Sequence, residues 1–558
     1  MDGRIMKKNK LALIVFFLLI VLLVPSFAQE ETTDSIVLPD VTTIIDGNEL
    51  EIDKEAIPDF SGALPDDLEA RDSLPVLPSV TVTESPKSSF IDEKQEESRV
   101  VFVEGNVGFG WPYVFKSDFS VYRIDSKPFL LNFTHSSFGG YGVSGQETGF
   151  FNSETSVTGQ KTFLTGNAKW LFDLKYVAKD LGLQGKSILF DDVNRRQIVL
   201  NASVGMPFKQ HFEWNVGVNA NWFSRYAGFV DYLDSVPGKE SVALSFINLQ
   251  GDANISWETQ IIELSLDGLW QSNFFIGKEN ISSGRGKILF ATEVSLQRFK
   301  IQGDVGAVFL PGGSGIEKAT FTVPFSLAVT YSLPVNFSNS PFILNATGGI
   351  KSVAVDFALL EEHSPFTNYT SKLLMQNREE SDWFVAVNLG LPIFSMATLD
   401  LTAEFNKTAF GNGVIETNFD FPIDSVTGFF YGGVRERTSF FTEAILDMSF
   451  LPLTASISWK ANWLDIVNGE LPHCICASVS LLSEKPWGVF FSVEEALGKN
   501  VDKVPRINAE AFIRPVEQIK IALSLEDAVK LFTSTNRVYA EPYINCGGSA
   551  TVSVQFLY

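Results

Sequence analysis

The sequence predicts an all-β fold. It is a large transmembrane antiparallel β-barrel of about 22 strands (range about 20–24) over residues 99–558, preceded by a disordered N-terminal arm. Three observations predict it. Apolar and polar residues alternate with a period of two through most of that span. Proline-marked short turns alternate with longer polar loops. The chain ends on an amphipathic strand whose last residue is aromatic.

Composition agrees. Of 558 residues, 49 are Phe, 12 Tyr and 10 Trp, while charged residues make up only 20%. That is below the roughly 25% of a typical soluble protein, and aromatic excess with charge depletion suits a lipid-facing surface. The net charge is −23, so no nucleic acid is expected as a partner, because phosphate binding needs a basic face. Three cysteines make no disulfide scaffold and four histidines leave little material for a metal site.

Residues 1–28 read as a secretory signal peptide. Arg4, Lys7, Lys8 and Lys10 form the basic region, Leu11–Val24 the apolar run, and Ser26-Phe27-Ala28 the small-residue cleavage site, with cleavage after Ala28. No later stretch reaches the apolar length of a spanning helix, which leaves a closed barrel as the way to cross lipid.

Residues 29–98 hold 19 Asp and Glu against 4 Lys and Arg, with prolines at 39, 58, 65, 75, 78 and 86. Such a segment buries too little apolar surface to offset chain entropy and reads as a disordered periplasmic arm. Inside it a hexamer recurs, Val37-Leu38-Pro39-Asp40-Val41-Thr42 and Val76-Leu77-Pro78-Ser79-Val80-Thr81. Short β-prone patches of this kind suit strand addition to a periplasmic partner.

The barrel strands follow. Over His211–Trp222, Trp214, Val216, Val218, Ala220 and Trp222 share one face and Glu213, Asn215, Gly217, Asn219 and Asn221 the other. The same pattern recurs over 397–406, 453–463 and 519–526. Acidic residues on the polar faces, Glu213, Asp252, Asp267, Asp400 and Glu404, are expected to face the lumen and to set a cation preference there. Short turns are expected at Met206-Pro207, Leu333-Pro334, Leu391-Pro392, Phe421-Pro422, Leu451-Pro452, Lys485-Pro486 and Arg514-Pro515, one per hairpin. Long loops are expected at 139–153, 359–382 and 494–505. Short turns on one side and long loops on the other is the outer-membrane asymmetry, with the short side periplasmic. In the last strand Val552, Val554, Phe556 and Tyr558 share one face and resemble the signal read by the barrel-assembly machinery of bacterial outer membranes.

No catalytic, cofactor or metal site is expected. Cys474 and Cys476 share a strand face while His473 points the other way, which is not zinc-finger spacing. Their pairing with Cys546 is left open. His135 and Ser136 are adjacent in a strand and face opposite sides, so they cannot form a nucleophile–base pair.

Leu77-Pro78-Ser79-Val80-Thr81-Val82-Thr83 resembles the segment that precedes the plug of TonB-dependent receptors. Val103–Gly110 with Phe133–Gly139 resembles the opening hairpins of plug-less barrels of that type. The resemblance spans residues 74–558 and implies a barrel of about 22 strands. The chain departs from those receptors where a folded plug would sit, since only the 70 residues of the arm precede the barrel. The expected function is solute passage across a bacterial outer membrane as a channel, transporter or receptor without a folded plug. The alternative is a surface adhesin or structural barrel acting through its long loops. Expected partners are outer-membrane lipid, the assembly machinery and a periplasmic protein that binds residues 29–98; no enzyme activity and no cofactor are expected.

Overall fold

A strand wet on one face and in lipid on the other must pair every backbone group, and a sheet does so only by closing on itself. The computed structural model describes residues 101–558 except 125–127, 141–148, 209–210, 230–241, 277–280, 313–318, 336–340, 420, 451, 466–471, 483–484, 498–503, 534–536, 541–542 and 546. The signal segment 1–28, the arm 29–98 with both hexamers, and Cys546 lie outside the described residues. Among those described, no helix is long and apolar enough to cross a membrane.

The sheet closes. Consecutive strands pair as antiparallel neighbours from Val101–Trp111 round to Ser549–Leu557, and these two pair with each other from Glu104↔Leu557 to Trp111↔Ala550. Val103 and Tyr558 exchange both backbone hydrogen bonds at 2.9 and 2.8 Å at the end of this seam. The sheet has 23 strand segments, but Thr320–Thr322 and Phe325–Leu333 both pair with Phe299–Leu310. They are one wall strand broken at Val323-Pro324, where proline cannot donate to the ladder. The barrel therefore has 22 strands.

The alternation seen in sequence becomes two faces. In the seventh barrel strand, Phe212–Phe229, Val216, Val218 and Trp222 are exposed on the outside. Glu213, Asn215, Gly217, Asn219 and Asn221 lie on the inside, together with the buried Phe223 and Arg225. Val218 is 58% and Val385 56% exposed, an arrangement that lipid tolerates and water disfavours. Exposed aromatics ring both ends. Phe212, Phe299, Phe450, Trp487 and Tyr558 lie toward the end that carries the termini, and Trp111, Trp270, Phe321, Trp383 and Trp463 toward the far end.

Connections at the terminal end are short, as at Gly166-Asn167, Gln297-Arg298 and Ser395-Met396. The long ones, 355–378, 409–437 and 527–548, lie at the far end. The asymmetry has exceptions: the first two strands join at the far end through Pro112-Tyr113 alone. One proline turn is a correction. Phe421-Pro422 lies in the far loop 409–437, whereas Pro207, Pro334, Pro392, Pro452, Pro486 and Pro515 fall at the terminal end. The even spacing from 392 to 422 to 452 is produced by a loop excursion and not by a hairpin. The long loops also differ in extent. Glu379–Asp382 already belongs to a strand that runs to Phe394, and Glu494–Leu497 completes the strand Trp487–Leu497.

Candidate functional site

The far mouth is where the chain departs from a bare barrel. Loop 355–378 carries two short helices. Asp356 caps Phe357–His363 by accepting from the Ala358 and Leu359 N–H groups, and Thr370 caps Ser371–Gln376 by accepting from Leu373 N–H. Loop 409–437 contributes the strands Val414–Asn418 and Phe430–Arg435, which form a three-stranded sheet with Thr367–Asn368 of the first loop. Loop 527–548 adds the helix Ala528–Thr533 and the hairpin of Arg537–Ala540 with Tyr543–Asn545.

These loops fold against one another and against the inner wall. Phe357, Tyr369, Leu374 and Met375 bury against the wall residues Phe223, Phe246, Phe275 and Ile281. Phe366 and Phe430 of the first two loops and Tyr543 of the third bury with Leu181, Phe190 and Val193 of the wall. The Phe366 and Tyr543 rings stack at 3.8 Å, and the Tyr543 hydroxyl donates to the Gly428 carbonyl. Val426 O accepts from Ser187 Oγ at 2.9 Å and Leu189 N–H at 3.2 Å. Loop 409–437 leaves the fifteenth barrel strand, Ala397–Thr408, while Ser187 follows the fifth, Ala168–Gly182. Ten positions on a ring of 22 is almost a diameter, so the loop spans the mouth.

The cap is held by buried charge. Glu361, with no exposed surface, pairs with Arg225 at 2.5 Å and with Arg195 at 3.5 Å. Arg225 also donates to the carbonyls of Val242 (2.8 Å) and Thr367 (3.0 Å) and to Asn368 Oδ1 (2.9 Å). Arg195 donates to the Pro365 carbonyl. A second buried pair joins Arg285 of the wall to Glu379 in a two-pronged contact at 2.6 and 3.0 Å, with Ser352 donating to the same carboxylate. Burial raises the phenols of Tyr369 and Tyr543 above the usual tyrosine value, by taking a future phenolate out of water.

The residues singled out in sequence are distributed round the wall. Glu213, Asp252, Asp267, Asp400 and Glu404 all lie on the inward face by register. They do not converge: Asp252 and Asp267 sit on adjacent strands, and Asp267 accepts from Asn254. Asp400 and Glu404 lie on another part of the wall, with Glu404 3.7 Å from the Lys351 ammonium. Among the described residues no group of metal-binding side chains gathers. Cys474 and Cys476 face the lumen as free thiols with sulfurs 3.5 Å apart. His473 points outward, its ring against Trp459 and Trp463. His135 is bonded to Thr155 Oγ1 at 2.7 Å. Val552, Val554 and Tyr558 are exposed on the outer face of the last strand, and Phe556 covers Gly105 across the seam.

Sequence reasoning treated the long loops as polar and missed the cap. The available signals were the apolar content of Phe366, Tyr369 and Phe429-Phe430, and the two arginines, Arg195 and Arg225, on an inward face near the strand ends.

No family model matches the sequence and no curated protein matches it. Solved structures do. The FrpB iron transporter from Neisseria meningitidis superposes with a TM-score of 0.62 at 9% identity, over 83% of this chain and 82% of that one. The copper transporter OprC gives 0.60 at 9% identity over 82% and 80%. A mutant of the ferric enterobactin receptor PfeA from Pseudomonas aeruginosa gives 0.59 at 8% identity over 83% and 81%. At such identities the likeness is one of fold: this chain shares with those proteins a closed antiparallel barrel, here of 22 strands with one mouth capped by its own loops.

Proposed function

We propose that the chain is an outer-membrane channel or transporter for a solute, with no folded plug, and that the loop cap is its gate on the outer side. The observation that carries this reading is the charged tie of the cap. A buried ion pair costs more desolvation than an apolar contact of the same size, so it is a poor way to seal a mouth permanently and a specific way to hold a closure that is later released. The solved barrels of the same fold are described as transporters and receptors, in keeping with passage rather than catalysis. Inward carboxylates such as Glu213, Asp252, Asp267, Asp400 and Glu404 would bias the lumen toward cations and neutral solutes. In this reading lipid covers the outer face, Val552, Val554, Phe556 and Tyr558 address the chain to the assembly machinery, and the two hexamers of the arm bind a periplasmic partner by strand addition.

An adhesin acting through its long loops is less well supported. Three of those loops direct their apolar residues at one another and at the inner wall.

Planar-bilayer conductance tests the reading. Full-length protein should show low open probability. Glu361→Ala should raise it, and deletion of residues 29–98 reports separately on the arm. Barrels that stay silent in all three forms would rule out a pore.

A further inference from the structure

Beneath the cap, the inner wall of four adjacent strands is paved with carboxamides. The strands are Phe190–Phe208, Phe212–Phe229, Leu244–Glu258 and Ile262–Ile276. Their register arranges the amides in rows. Asn221, Asn248 and Asn273 lie side by side across three strands. The next row down is Asn201, Asn219, Gln250 and Gln271. Two rows further down, Asn215 and Asn254 adjoin Asp267.

The amides orient one another. Asn219 donates to Asn201, Gln197 to Asn221 at 3.2 Å, and Asn248 to Asn273 at 2.5 Å. A carboxamide offers two donors and two acceptor lone pairs, so one or two such bonds leave each amide with capacity toward the lumen. Within these four strands the upper two rows contain no charged side chain; at the edges of the second row Arg285, paired with Glu379, adjoins Gln271, and Asp173 adjoins Asn201. Other parts of the wall are built from charge pairs, as at Lys520–Glu510 and Lys460–Glu443.

Immediately above the lattice stands an aromatic shelf. Phe223, Phe246 and Phe275 are direct cross-strand neighbours, with successive ring centroids 5.1 and 5.8 Å apart. The cap covers it: Phe357 lies 5.6 Å from Phe246 and 5.3 Å from Phe275. Release of the cap would uncover three phenyl rings over a neutral hydrogen-bonding surface.

The complement of that surface follows from its chemistry. A cation is better held by carboxylates and an anion by guanidinium groups. A purely apolar solute would bury the amides with their remaining donors and acceptors unsatisfied, which disfavours it. Groups that both donate and accept without charge match a carboxamide lattice, and hydroxyls are such groups. A solute whose rings also present C–H faces can lie on the shelf. We propose that the lattice and shelf form the binding track for a neutral oligosaccharide, engaged when Phe357 leaves the shelf. This deepens the transport reading and rests on it for passage, while binding itself is read separately.

Calorimetric titration of the full-length protein in detergent tests the proposal. The probes are neutral α-1,4 and β-1,4 glucose hexamers, a galacturonate hexamer and a neutral hexapeptide. Each is titrated into the unaltered protein and into Glu361→Ala, whose cap is loosened. Saturable binding of a neutral hexaose, and of neither the uronate nor the peptide, is expected. The paired change Asn219→Leu with Gln250→Leu should weaken it by about tenfold or more. The near-isosteric pair Asn219→Asp with Gln250→Glu keeps the shape and should weaken it too, with the heat-dependent gel shift confirming a folded barrel in each case. The proposal is overturned if no neutral hexaose binds either form, if both variant pairs bind as the parent does, or if the uronate or peptide binds equally well. A barrel that conducts yet fails here loses the sugar track and keeps the transport reading. Binding without conductance does the reverse.

Discussion

At the scale of single residues, Glu361 carries the most weight. It lies between two guanidinium groups with no exposed surface, and its removal leaves Arg225 and Arg195 buried without their shared counter-charge. Breaking a buried pair from one side typically costs about 3–5 kcal/mol. Glu361→Ala should therefore accelerate amide hydrogen exchange across 355–376 while the wall strands keep their protection. Unchanged exchange in that segment would show that the apolar contacts of Phe357 and Leu374 hold the cap unaided. Glu361 was not legible in the sequence. One carboxylate in Leu359-Leu360-Glu361-Glu362 looks like any surface acid, and its partners lie 136 and 166 positions away along the chain.

At the scale of elements, the wall strands were legible and the cap was not. A wall strand writes its environment into a period of two, so Trp214–Trp222 and Ala397–Asn406 could be read directly. The cap is made of short pieces, two- to seven-residue helices and strands whose burial depends on other loops, and no local period records that. Phe421-Pro422 departs from its expected hairpin turn for the same reason: a proline turn inside a cap looks like a proline turn between wall strands.

The cap should also answer to alkali. The phenols of Tyr369 and Tyr543 titrate higher in the closed cap than the ordinary value of 10.0, because burial disfavours the phenolate. A closed form that holds its protons more tightly keeps its full stability below about pH 10 and loses it as pH climbs through the raised values. Channel opening should rise over that range in bilayers, and Tyr543→Phe should shift the rise to higher pH. An alkaline response identical in the two proteins would assign it elsewhere.

At the scale of the whole molecule, closure follows from one constraint, that no backbone group remains unpaired in lipid, and the orientation of faces from lipid outside and a polar lumen within. That constraint made the fold class readable although no family model matches the chain. It also makes the barrel cooperative around its full ring. The protein extracted from membranes should migrate faster on gels before boiling than after, and absence of that shift would contradict a closed barrel.

The seam between Val101–Trp111 and Ser549–Leu557 has one more consequence. Because the first and last strands are ordinary neighbours, the ring has no structural beginning. A circular permutant that joins Tyr558 to Val101 through a short linker and opens at Gly166-Asn167 keeps every wall pairing. It should refold in detergent to the parent architecture. With residues 1–28 fused ahead of Asn167 to direct export, it should still fail to reach the membrane in cells if the proposed reading of the aromatic terminus as an assembly signal holds, because that terminus would now be an internal corner. Refolding without delivery would show that topology and destination are separately encoded in one strand.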